Sequence, residues 1–64
     1  MEFNALNKIF NDIETIGVKF ISIDNDFITI KLLNNEERYL ITNDENILTE
    51  FRSLQRIINE VYEN

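Results

Sequence analysis

A small α+β fold is predicted for this chain by two helical repeats of apolar residues that enclose three short β-rich runs. The helical repeats lie near the two ends of the 64-residue sequence, and the β-rich runs lie between them. Short runs separated by polar turns are typical of an antiparallel meander. We therefore expect one domain, residues 1–64, with both helices on one face of a three-stranded sheet.

The first helix is predicted by the spacing of apolar residues near the N-terminus. Phe3, Leu6, Phe10 and Ile13 recur at intervals of three and four, which is the period of an amphipathic helix. Gly17, the only glycine of the chain, follows this stripe. It fits the left-handed position at which many helices end. We expect the helix to end there.

The strands are predicted by three runs rich in β-branched and aromatic residues, VKFISID, FITIKLL and RYLIT. The first two runs are separated by the dipeptide Asn25–Asp26, which suits a two-residue turn. The remaining two are separated by the polar segment Asn34 to Glu37. The three runs therefore form two consecutive hairpins.

The register of the first hairpin follows from the requirement that one face of the sheet be apolar. A two-residue turn sets Ile21 opposite Ile30 and Lys19 opposite Leu32. Isoleucine then dominates one face of these two strands. We expect the helices to pack on that face.

For the second hairpin we expect a four-residue loop, Asn34 to Glu37. This loop sets Tyr39 opposite Leu32 and so continues the apolar face. The other face of the sheet is then half polar, as is usual for a solvated side. Its residues Phe20 and Leu40 are candidates for a dimer contact.

The last helix is predicted by an apolar repeat at intervals of four and three. The repeat consists of Ile47, Phe51, Leu54, Ile58 and Val61. Thr42 and Glu45 have the spacing of a capping box at the start of this helix. The pattern fits one long helix, and it also fits two helices with a kink near Ser53.

Charge and composition exclude several functions. Twelve acidic and six basic residues give a net charge of −6, which argues against nucleic acid and anionic membranes as direct partners. The chain has no cysteine and no histidine, and its acidic residues lack the spacing of a metal loop or a paired-carboxylate enzyme. We therefore expect no cofactor, no metal and no enzymatic activity.

The sequence has no apolar run of membrane-spanning length and no signal-peptide pattern. We expect a cytoplasmic protein, located in the host cytoplasm if a phage encodes it. The natural complement of its charge is a basic protein.

Part of the acidic charge is predicted to gather at one end of the sheet. The first helix reaches that end near Glu14. A last helix of about 20 residues measures about 30 Å, more than a strand of about 20 Å, so its tail returns to the same end. Acids in that tail oppose the dipole of the helix, which suggests a binding role. The candidate partner-binding residues are Glu14, Asn34, Asn35, Glu36, Glu37, Asn59, Glu60, Tyr62 and Glu63.

The element order and several short motifs resemble a family of small acidic phage anti-CRISPR proteins. The matching motifs are Asn34–Asn35, Tyr39, Glu45–Asn46, Glu50–Phe51 and Asn59–Glu63. That family inhibits Cas9 by mimicking the PAM duplex. The resemblance implies that carboxylates of the loop and the tail stand in for DNA phosphates and base acceptors. Arg38 departs from the family, which has an acid before the tyrosine.

Two classes of function remain open. The first is an acidic DNA-mimic inhibitor that binds a basic groove, most notably the PAM-reading site of Cas9, and blocks DNA engagement. The alternative is a small acidic interaction module without DNA mimicry, such as a homodimer or an antitoxin-like partner. In either case we expect no direct binding of nucleic acid. Between the two oligomeric states, the sequence favours a monomer over the homodimer.

Overall fold

A computed structural model of the chain describes residues 2–63, with the side chains of residues 5–62. Five elements follow one another along the chain: α1 (Glu2–Thr15), β1 (Val18–Asp24), β2 (Phe27–Leu32), β3 (Glu37–Ile41) and α2 (Glu45–Glu63). The strands form one antiparallel sheet in the order β1-β2-β3. The predicted α+β fold is confirmed, and α2 is one continuous helix. Within the described residues, no helix combines the length and the apolar character needed to cross a bilayer.

The core lies between the inner face of the sheet and the two helices. Ile28, Ile30 and Leu32 of β2 are fully buried, and so is Phe51 of α2. The ring of Phe51 stacks on Phe10 of α1, with the ring centroids 5.1 Å apart. Burying each such side chain stabilises the fold by about 2–3 kcal/mol. In so small a domain these few residues supply much of the available core.

Gly17 ends α1 as predicted. Its φ is 97°, and its N–H donates to the carbonyl of Ile13 at 3.1 Å. Its own carbonyl accepts from the N–H of Leu33 at 2.9 Å, which ties the end of α1 to the second turn of the sheet. A Cβ at this position would lie 2.6 Å from Leu33 Cδ1. The backbone conformation therefore favours glycine here, and a Cβ would also have to displace the exposed side chain of Leu33.

The first hairpin has the predicted register except at its open end. Ile21 lies opposite Ile30, so the isoleucine face forms as expected. Between residues 18 and 20 a bulge shifts the register. The predicted pairing of Lys19 with Leu32 is wrong, because the bulge inserts Lys19 as an extra residue in β1.

The second turn is shorter than predicted. The N–H of Leu32 donates to the carbonyl of Glu36 at 2.8 Å, and the N–H of Asn35 donates to the carbonyl of Leu32 at 2.9 Å. Residues 33–36 separate β2 from β3, but the hydrogen bond from Leu32 to Glu36 leaves only residues 33–35 as the closed loop, in which Asn35 has a left-handed φ of 73°. This is a common three-residue hairpin geometry. The predicted four-residue loop is wrong, because Asn35 accepts the left-handed conformation that closes the shorter one.

The shorter turn reverses the two faces of β3. Tyr39 lies opposite Thr29, and Leu40 lies opposite Ile28. Leu40 consequently packs against the core, whereas Tyr39 is exposed on the outer face. The predictions that Tyr39 pairs with Leu32 and that Leu40 lies on the outer face are wrong. An odd shift in register moves every side chain of a strand to the other face.

The start of α2 also differs from the prediction. Asp44 Oδ1 accepts from the N–H groups of Asn46 and Ile47 at 2.9 and 3.4 Å. Thr42 Oγ1 accepts instead from the N–H of Asp44, in a turn before the helix. The capping box predicted for Thr42 and Glu45 is wrong, because α2 begins two residues later than that motif requires.

We expect Gly17→Ala to destabilise the protein by about 3 kcal/mol, because alanine disfavours this backbone conformation and its Cβ would press on Leu33. Urea unfolding followed by circular dichroism measures the loss. In a Leu33→Ala background the same substitution should destabilise the protein by only about 1–2 kcal/mol, the part that comes from the left-handed backbone conformation. Equal costs in the two backgrounds would contradict the contact with Leu33.

We expect Asp44→Ala to lower the free energy of unfolding by about 1 kcal/mol, because it removes the acceptor for two N–H groups in the first turn of α2. Thr42→Ala is the matched control and should cost clearly less. Thermal unfolding of both variants checks the order. A larger loss of stability for Thr42→Ala would indicate that Thr42 caps the helix, as the sequence predicted.

Candidate functional site

The second turn lies at the centre of the predicted binding surface. Asn34 Oδ1 accepts from the N–H of Glu36 at 3.0 Å. Asn35 Oδ1 accepts from Lys19 Nζ at 2.7 Å, which the bulge in β1 brings within reach. Both asparagines are exposed, but each also has a structural role in shaping or bracing the turn.

Arg38 joins this turn to α1. Its Nε donates to Asp12 Oδ2 at 3.0 Å, its Nη2 to Glu36 Oε1 at 2.7 Å and its Nη1 to the carbonyl of Glu37 at 3.0 Å. The hydrogen bonds to Glu36 and Asp12 raise the pKa of Arg38 above its usual value. Two carboxylates therefore surround one guanidinium, and this cluster keeps an excess of negative charge.

Asp12 is the residue of this cluster that the sequence reasoning missed. It is only 9% exposed and lies on the face of α1 that meets the sheet. The available signal was its position three residues after the buried Ile9 and four before Ile16, inside the apolar stripe. A carboxylate in such a place needs a partner. The partner is Arg38.

Glu37 lies on the outer face of the sheet. Its Oε1 accepts a hydrogen bond from the Tyr39 hydroxyl, and its Oε2 lies 3.8 Å from Lys31 Nζ. The hydrogen bond to Glu37 is the main reason that the pKa of Tyr39 is raised above its usual value near 10. Glu37 therefore has two neighbours within the sheet before any partner binds.

Glu14 faces a groove between the two helices. The groove has a volume of about 430 Å³, and its apolar lining comes from Phe10, Ile13 and Leu54. Glu14 and Glu50 are exposed and provide its acidic rim. The structure thus places Glu14 in a setting that the sequence did not indicate.

The predicted tail residues belong to the last turns of α2. Asn59, Glu60 and Tyr62 are exposed there, next to an exposed Val61. The side chain of Glu63 lies outside the described residues. A surface at this end of α2 would therefore combine apolar and acidic groups.

The helix that carries the tail packs on one edge strand of the sheet, and the second turn leads into the other edge strand. α2 packs on β1, where Gln55 Nε2 donates to the carbonyl of Ile21 at 2.9 Å. Glu37 begins β3, which is the other edge strand. That the tail and the turn combine into one binding surface stays a prediction.

A second group of acids lies at the opposite end of the sheet. The carbonyl of Asp26 accepts from the N–H of Thr42 at 2.9 Å, which holds the first turn beside the start of α2. Glu45 in this group lies 3.6 Å from Arg52. Both ends of the sheet are therefore acidic. The members of this second group are Asp24, Asp26, Asp44 and Glu45.

The raised pKa of Tyr39 gives a direct test of its contact with Glu37. In a Tyr62→Phe background Tyr39 is the only tyrosine, and its absorbance should titrate at a pH above 10. We expect Glu37→Gln to lower that midpoint, because the acceptor loses its charge. Glu36→Gln is the matched control and should shift it less. An unchanged midpoint in Glu37→Gln would contradict the contact.

The same contact has a consequence for stability at high pH. The pKa of Tyr39 is higher in the folded protein than in the unfolded chain. Its contribution to stability is therefore complete below a pH of about 10 and is lost as the pH rises through the folded pKa.

Comparisons with known proteins assign no family to the chain. No protein-family model, no curated protein and no solved structure matches it. A function for this protein therefore has to be argued from its fold, its charge and the contacts described above.

Proposed function

We propose that this protein is an acidic inhibitor that mimics DNA and occupies the basic groove of a nucleic-acid-binding protein. The PAM-reading site of Cas9 is the target that the resemblance of the sequence favours. In such a site arginine side chains read bases and lysine or arginine side chains contact phosphates. Carboxylates of the inhibitor, presented at the correct spacing, would take the place of the DNA bases and of the DNA phosphates. The inhibitor would act by excluding the duplex, without chemistry of its own.

One observation carries this proposal, the pairing of Arg38 with two carboxylates. Arg38 directly follows the acidic pair Glu36–Glu37 that comes after the second turn, and on its own it would repel a basic partner. Asp12 and Glu36 bind it at 3.0 and 2.7 Å, so it remains within the protein's own ion-pair cluster. The turn can therefore present Asn34, Asn35 and negative charge to solvent despite its arginine.

The net charge supports the same kind of partner. A charge of −6 on a 64-residue domain produces a strong negative field that steers a basic protein into contact. Hydrogen bonds from arginine or lysine to carboxylates are about twice as strong as neutral ones. Binding of this kind is fast and weakens as salt is added.

The proposal predicts that the purified protein binds guide-loaded Cas9 and that excess PAM-containing duplex prevents this binding. Fluorescence anisotropy of a labelled inhibitor at about 50 and 200 mM salt measures both effects, and the affinity should fall at the higher salt. Absence of binding at micromolar concentration would contradict the Cas9 assignment. Binding that the duplex does not affect would contradict mimicry and favour an acidic module of another kind.

Two charge-reversal variants test whether binding depends on a defined surface or only on the net charge of the protein. Glu36→Lys changes the second turn, and Asp26→Lys makes the same change at the other end of the sheet. We expect Glu36→Lys to weaken binding at least about tenfold and Asp26→Lys to weaken it much less. Circular dichroism of both variants checks that they fold. Equal losses would indicate attraction to overall charge, and a larger loss for Asp26→Lys would move the surface to the opposite end.

A further inference from the structure

The outer face of the sheet, away from the helices, carries an unusual number of apolar residues. Side chains on the exposed face of an antiparallel sheet are usually polar. Here Phe20, Phe27, Tyr39 and Ile41 lie on that face with 42, 41, 56 and 70% of their surface exposed. We call these four residues the outer apolar patch.

Part of this patch is already packed. The rings of Phe27 and Tyr39 are stacked, with centroids 5.8 Å apart and an angle of 15° between their planes. The hydrogen bond to Glu37 also holds the Tyr39 hydroxyl. Aromatic groups fixed in this way lose little conformational entropy when a partner covers them.

The charge on the outer face favours a second copy of the chain as that partner. Lys31 and Glu37 lie side by side on this face, 3.8 Å apart, and Asp24 stands at one corner. These three residues give the face a net charge of only about −1, in a protein whose net charge is −6. Two copies would repel each other strongly at their acidic ends and least across this face. A strongly basic partner would be drawn to those acidic ends instead.

The area of the outer face is also large enough for a small dimer interface. The outer apolar patch exposes on the order of 500 Å². With Ser22, Thr29 and Lys31, which lie between its members, the face exposes on the order of 600 Å², the low end of what each partner buries in a specific interface. A face of that size is a substantial part of the total surface of 4586 Å².

We propose that two copies of this chain form a two-fold symmetric dimer through the outer faces of their sheets. A two-fold axis within the interface sets the outer apolar patch of one copy on the same patch of the other. Both helices lie outside this interface, and of the candidate binding residues only Glu37 borders it. The dimer does not depend on the proposed inhibitory function.

Sedimentation equilibrium of the full chain from about 1 µM to 1 mM tests the dimer. The average mass should rise from 7.7 kDa towards twice that value. Ile41→Lys should raise the dissociation constant at least tenfold. Val61→Lys places the same change on an equally exposed residue of α2 and should leave association unchanged. Tyr39→Ser is a second variant within the patch, and circular dichroism confirms that each variant folds.

Salt distinguishes this proposal from the inhibitory one. Added salt screens the repulsion between two copies of charge −6, so it should strengthen the dimer, whereas it should weaken binding to a basic groove. A mass of 7.7 kDa at every concentration and salt level would overturn the dimer. Association that Val61→Lys abolishes, or that Ile41→Lys and Tyr39→Ser leave intact, would overturn the interface proposed here.

Discussion

The left-handed conformation of Asn35 determines which face of β3 meets the helices. It closes a three-residue turn and so sets Arg38 opposite Ile30 and Leu40 opposite Ile28. Because side chains alternate along a strand, a loop with one residue more would have turned both outward. The ion pair that ties the turn to α1, the completed core and the exposed aromatic face all follow from this one backbone conformation.

The sequence was sufficient for the fold and for the first hairpin up to the bulge at Lys19, because the alternation of residues in β1 is itself decisive. Ile21 and Ile23 alternate with polar or exposed residues, so only one register turns both towards the core. In β3 both alternating sets contain apolar residues, Tyr39 and Ile41 in one and Leu40 in the other. Polarity therefore did not decide between the two faces. The turn selects the face, because Asn35 adopts a left-handed conformation that few other residue types tolerate.

The candidate site was predictable only in its composition. The acids near the second turn are visible in the sequence, but the partner of Arg38 is Asp12, which is 26 residues away along the chain. Lys19 reaches Asn35 only because a bulge displaces it from the ladder. Contacts of this kind depend on how elements dock, and no spacing rule within one element reveals them.

The sheet has two edge strands, and a side-chain donor occupies a backbone carbonyl on each. Gln55 binds the carbonyl of Ile21 in β1, and Arg38 binds the carbonyl of Glu37 in β3. An unprotected edge is a template on which further chains add strand by strand into fibres. An incoming strand would have to displace one of these donors here. The molecule thus exposes an apolar sheet face while a side chain covers one backbone acceptor on each edge strand.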